Sequence, residues 1–133
     1  MFHPGKGLHG RGDETVELLD SMTIFEKIAA REIPAKVIFE DDDVIAFHDV
    51  NPQAPVHALI VPKRVIPRLE LASATDQALL GKLILTAAKV ARDLGVSESG
   101  YRIVVNNGPD AGESVPHLHL HLLGKRGLAW PPG

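Results

Sequence analysis

At 133 residues, 44% hydrophobic and 23% charged, the chain suits one compact domain with its own core and leaves no room for a second. A formal net charge of -3 supplies no global basic field, which excludes nonspecific duplex DNA binding as the main task but is compatible with a small anionic ligand held locally. Cysteine is absent, so a disulfide framework, a thiolate nucleophile and a cysteine zinc site are excluded and histidine must carry any such chemistry.

In chain order, residues 1–21 carry Pro4 and the glycines Gly5, Gly7, Gly10 and Gly12 without sustained periodicity. They read as a mobile tail, with His3 and His9 as surface histidines and Val16 to Leu19 as a helical turn; residues 22–133 read as the domain. No apolar run approaches the roughly 20 residues of a membrane span, and the start lacks a signal-peptide core. The expected address is therefore cytoplasmic, with the nucleus as a second compartment, and no membrane partner is expected.

Thr23 and Glu26 form a capping box ahead of Ile24, Phe25, Ile28 and Ala29 at helical spacing, which predicts a helix from Ile24 to Glu32 before Pro34 blocks it. Lys36 to Glu40 reads as a strand, Asp41-Asp42-Asp43 as a solvated turn, and Val44 to Val50 as a second strand carrying Phe47-His48-Asp49. Two prolines make Asn51 to Pro55 a loop. The third strand, Val56 to Val61, is apolar on both faces and so central, which makes His57 at its start a candidate site residue. Pro62-Lys63-Arg64 and Pro67-Arg68 read as solvated connection. Thr75 is expected to cap a long helix that buries Leu79, Leu80, Leu83, Ile84, Ala87, Ala88, Ala91 and Leu94 and ends at Gly95. Tyr101 to Asn106 is a fourth strand, and Asn107 to Gly112 a turn-rich loop.

The stretch His117-Leu118-His119-Leu120-His121-Leu122-Leu123 follows. In a strand, alternate residues share a face, so three histidines line one face and leucines the other. Alternate Cα atoms stand about 6.6 Å apart, a spacing at which neighbouring imidazoles bracket a phosphate or a metal ion. A neutral imidazole is a competent nucleophile toward phosphorus, provided that one ring nitrogen is pinned and donors neutralise the phosphate oxygens. His117, His121, His57, Ser114 and the amides near Gly112 are the available parts, and Arg102 is the arginine nearest to them in sequence.

The run from His117 to Leu123 resembles the motif of the histidine triad (HIT) family, His-φ-His-φ-His-φ-φ with φ apolar. Thr23-Ile24-Phe25, Ile33-Pro34-Ala35-Lys36, Phe47-His48-Asp49, Pro52-Gln53-Ala54-Pro55, Val61-Pro62-Lys63, Gly100-Tyr101-Arg102 and Trp130-Pro131-Pro132-Gly133 extend the resemblance to the Hint branch of nucleoside phosphoramidases. That resemblance implies an α+β fold, a five-stranded antiparallel sheet with two helices, and a twofold dimer whose sheets become continuous. It implies hydrolysis of adenosine or guanosine 5′-phosphoramidates without a cofactor; the residues themselves predict a site without metal, since imidazoles can attack unaided and hard-oxygen ligands are missing, and no specific nucleic-acid partner is expected. His119 would be the nucleophile that becomes nucleotidylated. His121 would contact the phosphate and leaving group, His117 and His57 would orient the site, and Ser114 would assist the departing nitrogen. Asp49 would accept from the ribose hydroxyls. Ile24, Phe25, Ile28, Phe47, His48, Val50 and Leu59 would line the base slot, Asn106 and Gly112 would touch the phosphate, and Trp130 would reach the partner's site. Glu113 and Pro116 depart from the branch, which usually carries Gln and an aromatic residue there, and the Glu113 carboxylate is expected to act on leaving-group charge. The alternatives are a dinucleoside polyphosphate hydrolase, a metal-dependent hydrolase using the histidines as ligands, and a noncatalytic nucleotide-binding or scaffold protein.

Overall fold

A computed structural model describes residues 21–133, so residues 1–20 of the expected tail, with His3, His9 and the turn from Val16 to Leu19, lie outside the described residues. The chain divides into two compact units at Pro34 and Ala35, within the stretch that the sequence presents as one domain.

In the first unit, helix α1 spans Ile24–Ala29. Its capping box is as predicted: the Glu26 amide donates to the Thr23 hydroxyl (3.1 Å) and the Thr23 amide to the Glu26 carboxylate (2.9 Å). The helix ends three residues before Glu32 because Arg31 takes a positive φ of 64°, and the Arg31 and Glu32 amides turn back to the Ile28 and Lys27 carbonyls (3.0 and 2.8 Å). This is a Schellman ending with arginine where glycine is usual. Phe25 and Ile28 are buried, while Ile24 is exposed.

The second unit holds strands β1 (Val37–Glu40), β2 (Val44–His48), β3 (Val56–Pro62), β4 (Tyr101–Val104) and β5 (Leu120–Gly124), with helix α2 (Gln77–Asp93) between β3 and β4. The five strands form one antiparallel sheet in the order β1-β2-β3-β5-β4, so β3 is central as predicted and β4 is an edge. At the β1–β2 turn, the Asp41 carboxylate accepts the Asp43 and Val44 amides (both 2.9 Å), and Lys82 of α2 bridges Asp41 and Asp43 (2.7 and 2.9 Å). The acidic run is thus a turn tied to the helix by a cation.

One sheet face packs on α2. Val44 and Ala46 of β2, Ala58 and Ile60 of β3, and Leu120 and Leu122 of β5 meet Leu83, Ala87, Val90 and Ala91 of the helix. Each leucine, isoleucine or valine among them, fully buried, contributes about 2 kcal/mol, so this layer sets the sheet's register. The helix starts differently from expectation. Ser73 and Asp76 form a capping box around a short 3-10 turn, and the Thr75 hydroxyl pairs with Ser73 (2.8 Å), so α2 opens at Gln77 without a threonine cap. Its apolar stripe is also narrower than predicted, Ile84 being 49% exposed. Gly95, at φ 74°, ends the helix, and the Val96 amide reaches back to the Ala91 carbonyl (2.9 Å).

The histidine strand is shorter than alternation predicts. Pro116 has no amide to donate, the His117 amide folds back on the Val115 carbonyl (2.8 Å), and the Leu118 amide goes to the Ile66 carbonyl (2.7 Å). Only His121 of the three histidines therefore lies in β5. Leu118, Leu120 and Leu122 still reach the core, at 4, 3 and 0% exposure, so the leucine face stands as predicted.

Candidate active site

The site grows from the sheet face opposite α2. Directly paired residues of antiparallel strands share a face, and Phe47 pairs with Leu59, Leu59 with His121, and His121 with Val104. Phe47, Leu59 and His121 thus form one row across β2, β3 and β5. His57, two residues before Leu59, lies on the same face and is buried.

A chain of hydrogen bonds orients these rings. The Asp49 amide donates to the His57 carbonyl (2.9 Å), closing the β2–β3 end, and the Gln53 amide donates to His57 Nδ1 (2.9 Å). With Nδ1 accepting, His57 carries its proton on Nε2, which donates to His121 Nδ1 at 2.9 Å and lies 3.4 Å from an Asp49 carboxylate oxygen. His121 Nδ1 is then the acceptor and its Nε2 the donor, directed onward as an N–H. The Gln53 carbonyl is itself held by Arg126 (2.9 Å), which fixes the loop that starts the relay. Burial lowers the pKa of His121 to about 4, reinforced by His119 and His57 and opposed by Asp49. Burial likewise lowers that of His57, again against Asp49. Both rings are therefore neutral at pH 7, as the relay requires.

His117 and His119 are buried too, and their partners are carbonyls. His117 Nε2 donates to the Pro62 carbonyl (2.7 Å), and His119 Nδ1 donates to the His117 carbonyl (2.7 Å). With the proton of His119 on Nδ1, its lone pair is on Nε2. The His119 ring stands 5.0 Å from that of His121 and at 61° to it.

The remaining candidates divide. Asp49 joins the cluster through His57, and its other oxygen accepts the Asn51 amide (2.8 Å). Phe47 and Leu59 line the row. His48 pairs with Ala58 and so belongs to the opposite face, where it is exposed, and Val50 is 92% exposed beyond the strand. Ile24, Phe25 and Ile28 belong to α1 in the first unit. Asn106 is half-buried just after β4, and Ser114 is exposed in the loop before His117. The Gly112 amide, expected to be a phosphate donor, is already used by the Pro109 carbonyl (3.0 Å), and the Glu113 amide goes to the Gly108 carbonyl (3.2 Å). Ser114 is the next amide along, and among the described residues no acceptor faces it. Trp130 is 82% exposed, on a segment held by Arg102 donating to the Leu128 and Ala129 carbonyls (3.4 and 2.9 Å). Arg102 is thus occupied at the chain's end.

Sequence reasoning missed three parts. The Gln53 amide and the Pro62 carbonyl are backbone groups with no side-chain signature. Arg68, read as solvated surface, instead grips Glu113 with two nitrogens (2.9 Å each), and that contact, with the Gly108 amide, holds the Glu113 carboxyl down at about 2. The expected bare carboxylate beside the histidines is paired.

Asp49, His57 and His121 offer three potential metal ligand atoms within 4.8 Å of one another. The donor set does not fit an ion. Binding through His57 Nε2 would move its proton to Nδ1, where the Gln53 amide already points a hydrogen, so two donors would face each other.

Residues 30–128 match the HIT domain family model. An uncharacterized HIT-like protein of Synechocystis sp. is 56% identical over 111 residues, 84% of this chain and 96% of that protein, and one of Synechococcus elongatus is 58% identical over the same shares. Among solved structures, a HIT family hydrolase from Legionella pneumophila superposes with a TM-score of 0.82 at 47% identity, covering 84% of this chain and all (100%) of that one. A histidine triad protein from Clostridium difficile gives 0.77 at 39%, covering 80% and 92%. The five-stranded antiparallel sheet and the two helices are therefore those of a known hydrolase fold, and the chain belongs to the HIT domain family.

Proposed function

We propose that this protein hydrolyses purine nucleoside 5′-phosphoramidates through a nucleotidyl-His119 intermediate. The observation that carries the reading is the proton arrangement: the His117 carbonyl holds the His119 proton on Nδ1, and the relay from Gln53 through His57 makes His121 an N–H donor beside it. A lone pair and a donor stand on neighbouring rings, as attack on phosphorus requires.

In the first step His119 Nε2 attacks the α-phosphorus, the phosphorus–amine bond breaks, and the amine takes a proton that reaches it from solvent through the Ser114 hydroxyl. The His121 N–H and the Ser114 amide stabilise the phosphoryl oxygens as charge builds. In the second step water adds to phosphorus and gives up a proton to solvent, the bond to His119 breaks to return the neutral imidazole, and the nucleoside monophosphate leaves. Splitting the displacement in two spares the enzyme from activating water and protonating nitrogen at once. Asp49 accepts from the ribose, and Phe47 and Leu59 face the base. The exposed Trp130 and the edge position of β4 support a twofold dimer in which each C-terminal segment reaches the other copy's site.

Rapid-quench mass spectrometry with a slow adenosine phosphoramidate should place the added nucleotidyl mass on His119. His119→Ala should lose at least about 10⁴-fold in kcat, in line with removal of a covalent nucleophile, while still binding AMP. Mass on His117 or His121, or near-native turnover by His119→Ala, would refute the mechanism.

A further inference from the structure

Arg68, in the connection after β3, and Glu113, in the loop before β5, are 45 residues apart in sequence. The Glu113 carboxylate takes Arg68 Nε on one oxygen (2.9 Å) and Nη2 on the other (2.9 Å), the fork geometry that suits arginine and not lysine. One of those oxygens also accepts the Gly108 amide (2.9 Å), while the Glu113 amide donates to the Gly108 carbonyl (3.2 Å). Two bonds to Gly108 thus pinch the loop into a ring, which Gly108 and Gly112 turn at φ 86° and 75°. Ser114 follows at once. Only 11% of the Glu113 side chain is exposed, and His119 is within electrostatic reach of its carboxylate, the least of the influences that lower the Glu113 pKa.

A carboxylate in this place has two possible effects. Unpaired, it would favour protonated imidazoles and repel an anionic substrate; paired, it is a mechanical tie. Among the described residues, the charged or titratable groups around His119 include His121 with His57 and Asp49 behind it, His117 through its carbonyl, and Glu113 with Arg68. Arg68 is the cation of that set.

We propose that Arg68 is a positioning residue: by pairing with Glu113 it turns a carboxylate in the loop before the nucleophilic histidine into a charge-neutral latch that holds residues 108–114 and, through them, Ser114. The proposal rests on the phosphoramidase reading. It also replaces the expectation that Glu113 senses the charge of the leaving group.

The test compares Arg68→Gln, Arg68→Lys and Arg68→Gln/Glu113→Gln in the full chain, using an adenosine 5′-phosphoramidate with an uncharged amine. Arg68→Gln should lower kcat about tenfold, the cost of a slightly misplaced loop, and move the acid limb of kcat/KM to higher pH. The double variant should recover the native acid limb while keeping the kcat deficit, since the stranded charge is gone but the latch is still open. Arg68→Lys should keep the native limb and lose about threefold in kcat, having the charge without the fork. A native acid limb in Arg68→Gln, or native kcat in all three variants, overturns the proposal. Amide exchange reads the latch without turnover: Gly108 and Glu113 should exchange about tenfold faster in the double variant, and unchanged exchange also overturns it. A native protein that turns over no phosphoramidate would instead overturn the function proposed above, with the exchange experiment still deciding the latch.

Discussion

His119 and His121 stand two residues apart on one run of sequence, yet they are held by different kinds of partner. His121 lies within β5, and its tautomer is set across the sheet by His57, which takes its own from the Gln53 amide. His119 precedes the strand, and its tautomer is set by a carbonyl two residues back. The first arrangement depends on a side chain that can be mutated away and on a register between strands. The second is built into the backbone. A donor whose role is to stabilise charge can therefore be detuned in steps, whereas the nucleophile keeps its proton placement as long as the local chain keeps its path.

The sharpest way to break this contrast is to cut the relay and leave the nucleophile alone. His57→Phe removes the donor to His121 Nδ1 and so frees that ring to take the other tautomer. It should lower kcat by about 10–100-fold with a smaller effect on KM, because the lost N–H matters most as charge develops on phosphorus. The nucleotidyl adduct should still form on His119, as intact-mass measurement would show; an adduct-free variant would mean that the two histidines are not held independently. A smaller catalytic effect is expected at His117, whose side chain is 1% exposed and whose partner is the Pro62 carbonyl. His117→Ala should cost about 2–4 kcal/mol of stability, from the cavity and the stranded carbonyl together, since its backbone still offers His119 the same acceptor. Denaturant melts beside kcat would separate these effects, and a large kcat loss at native stability would give the His117 ring a chemical role.

The smallest effect is one of pH. The folded-state pKa of His121 is depressed to about 4 from an ordinary 6.5, so between those values the unfolded chain binds the proton and the folded chain does not. Stability should be full above about pH 6.5 and fall as pH drops toward 4, and His57, shifted the same way, adds to the slope. In His57→Phe/His121→Phe that slope should flatten in thermal melts taken between pH 7 and 4. An unchanged slope would mean that other groups set the acid limit.

Much of this could be read from the sequence where period or local chemistry decides. The Thr23 capping box, the central β3, the Gly95 helix end and the leucine face of the histidine run all follow from neighbours in the chain. Two failures have a common cause. Alternation extended the last strand back to His117 because side-chain pattern carries no record of where amides find acceptors, and here Pro116 and the Ile66 carbonyl end the ladder. Arg102 drew attention as the cation near the histidines in sequence, but the cation beside Glu113 is Arg68, 45 residues away. Ser73 and Asp76 carried a legible capping signal that Thr75 obscured.

The strand order has a consequence for the sheet's edges. β5 follows all of its partners along the chain, yet it lies between β3 and β4. Without it, β3 and β4 each present an open inner edge, and β3 is the most apolar strand of the sheet. Such edges invite pairing with other chains, so any state in which β5 is detached from the sheet exposes two of them. The insertion that closes the sheet is the same event that brings His121 to His57, and the relay therefore requires β5 in its place.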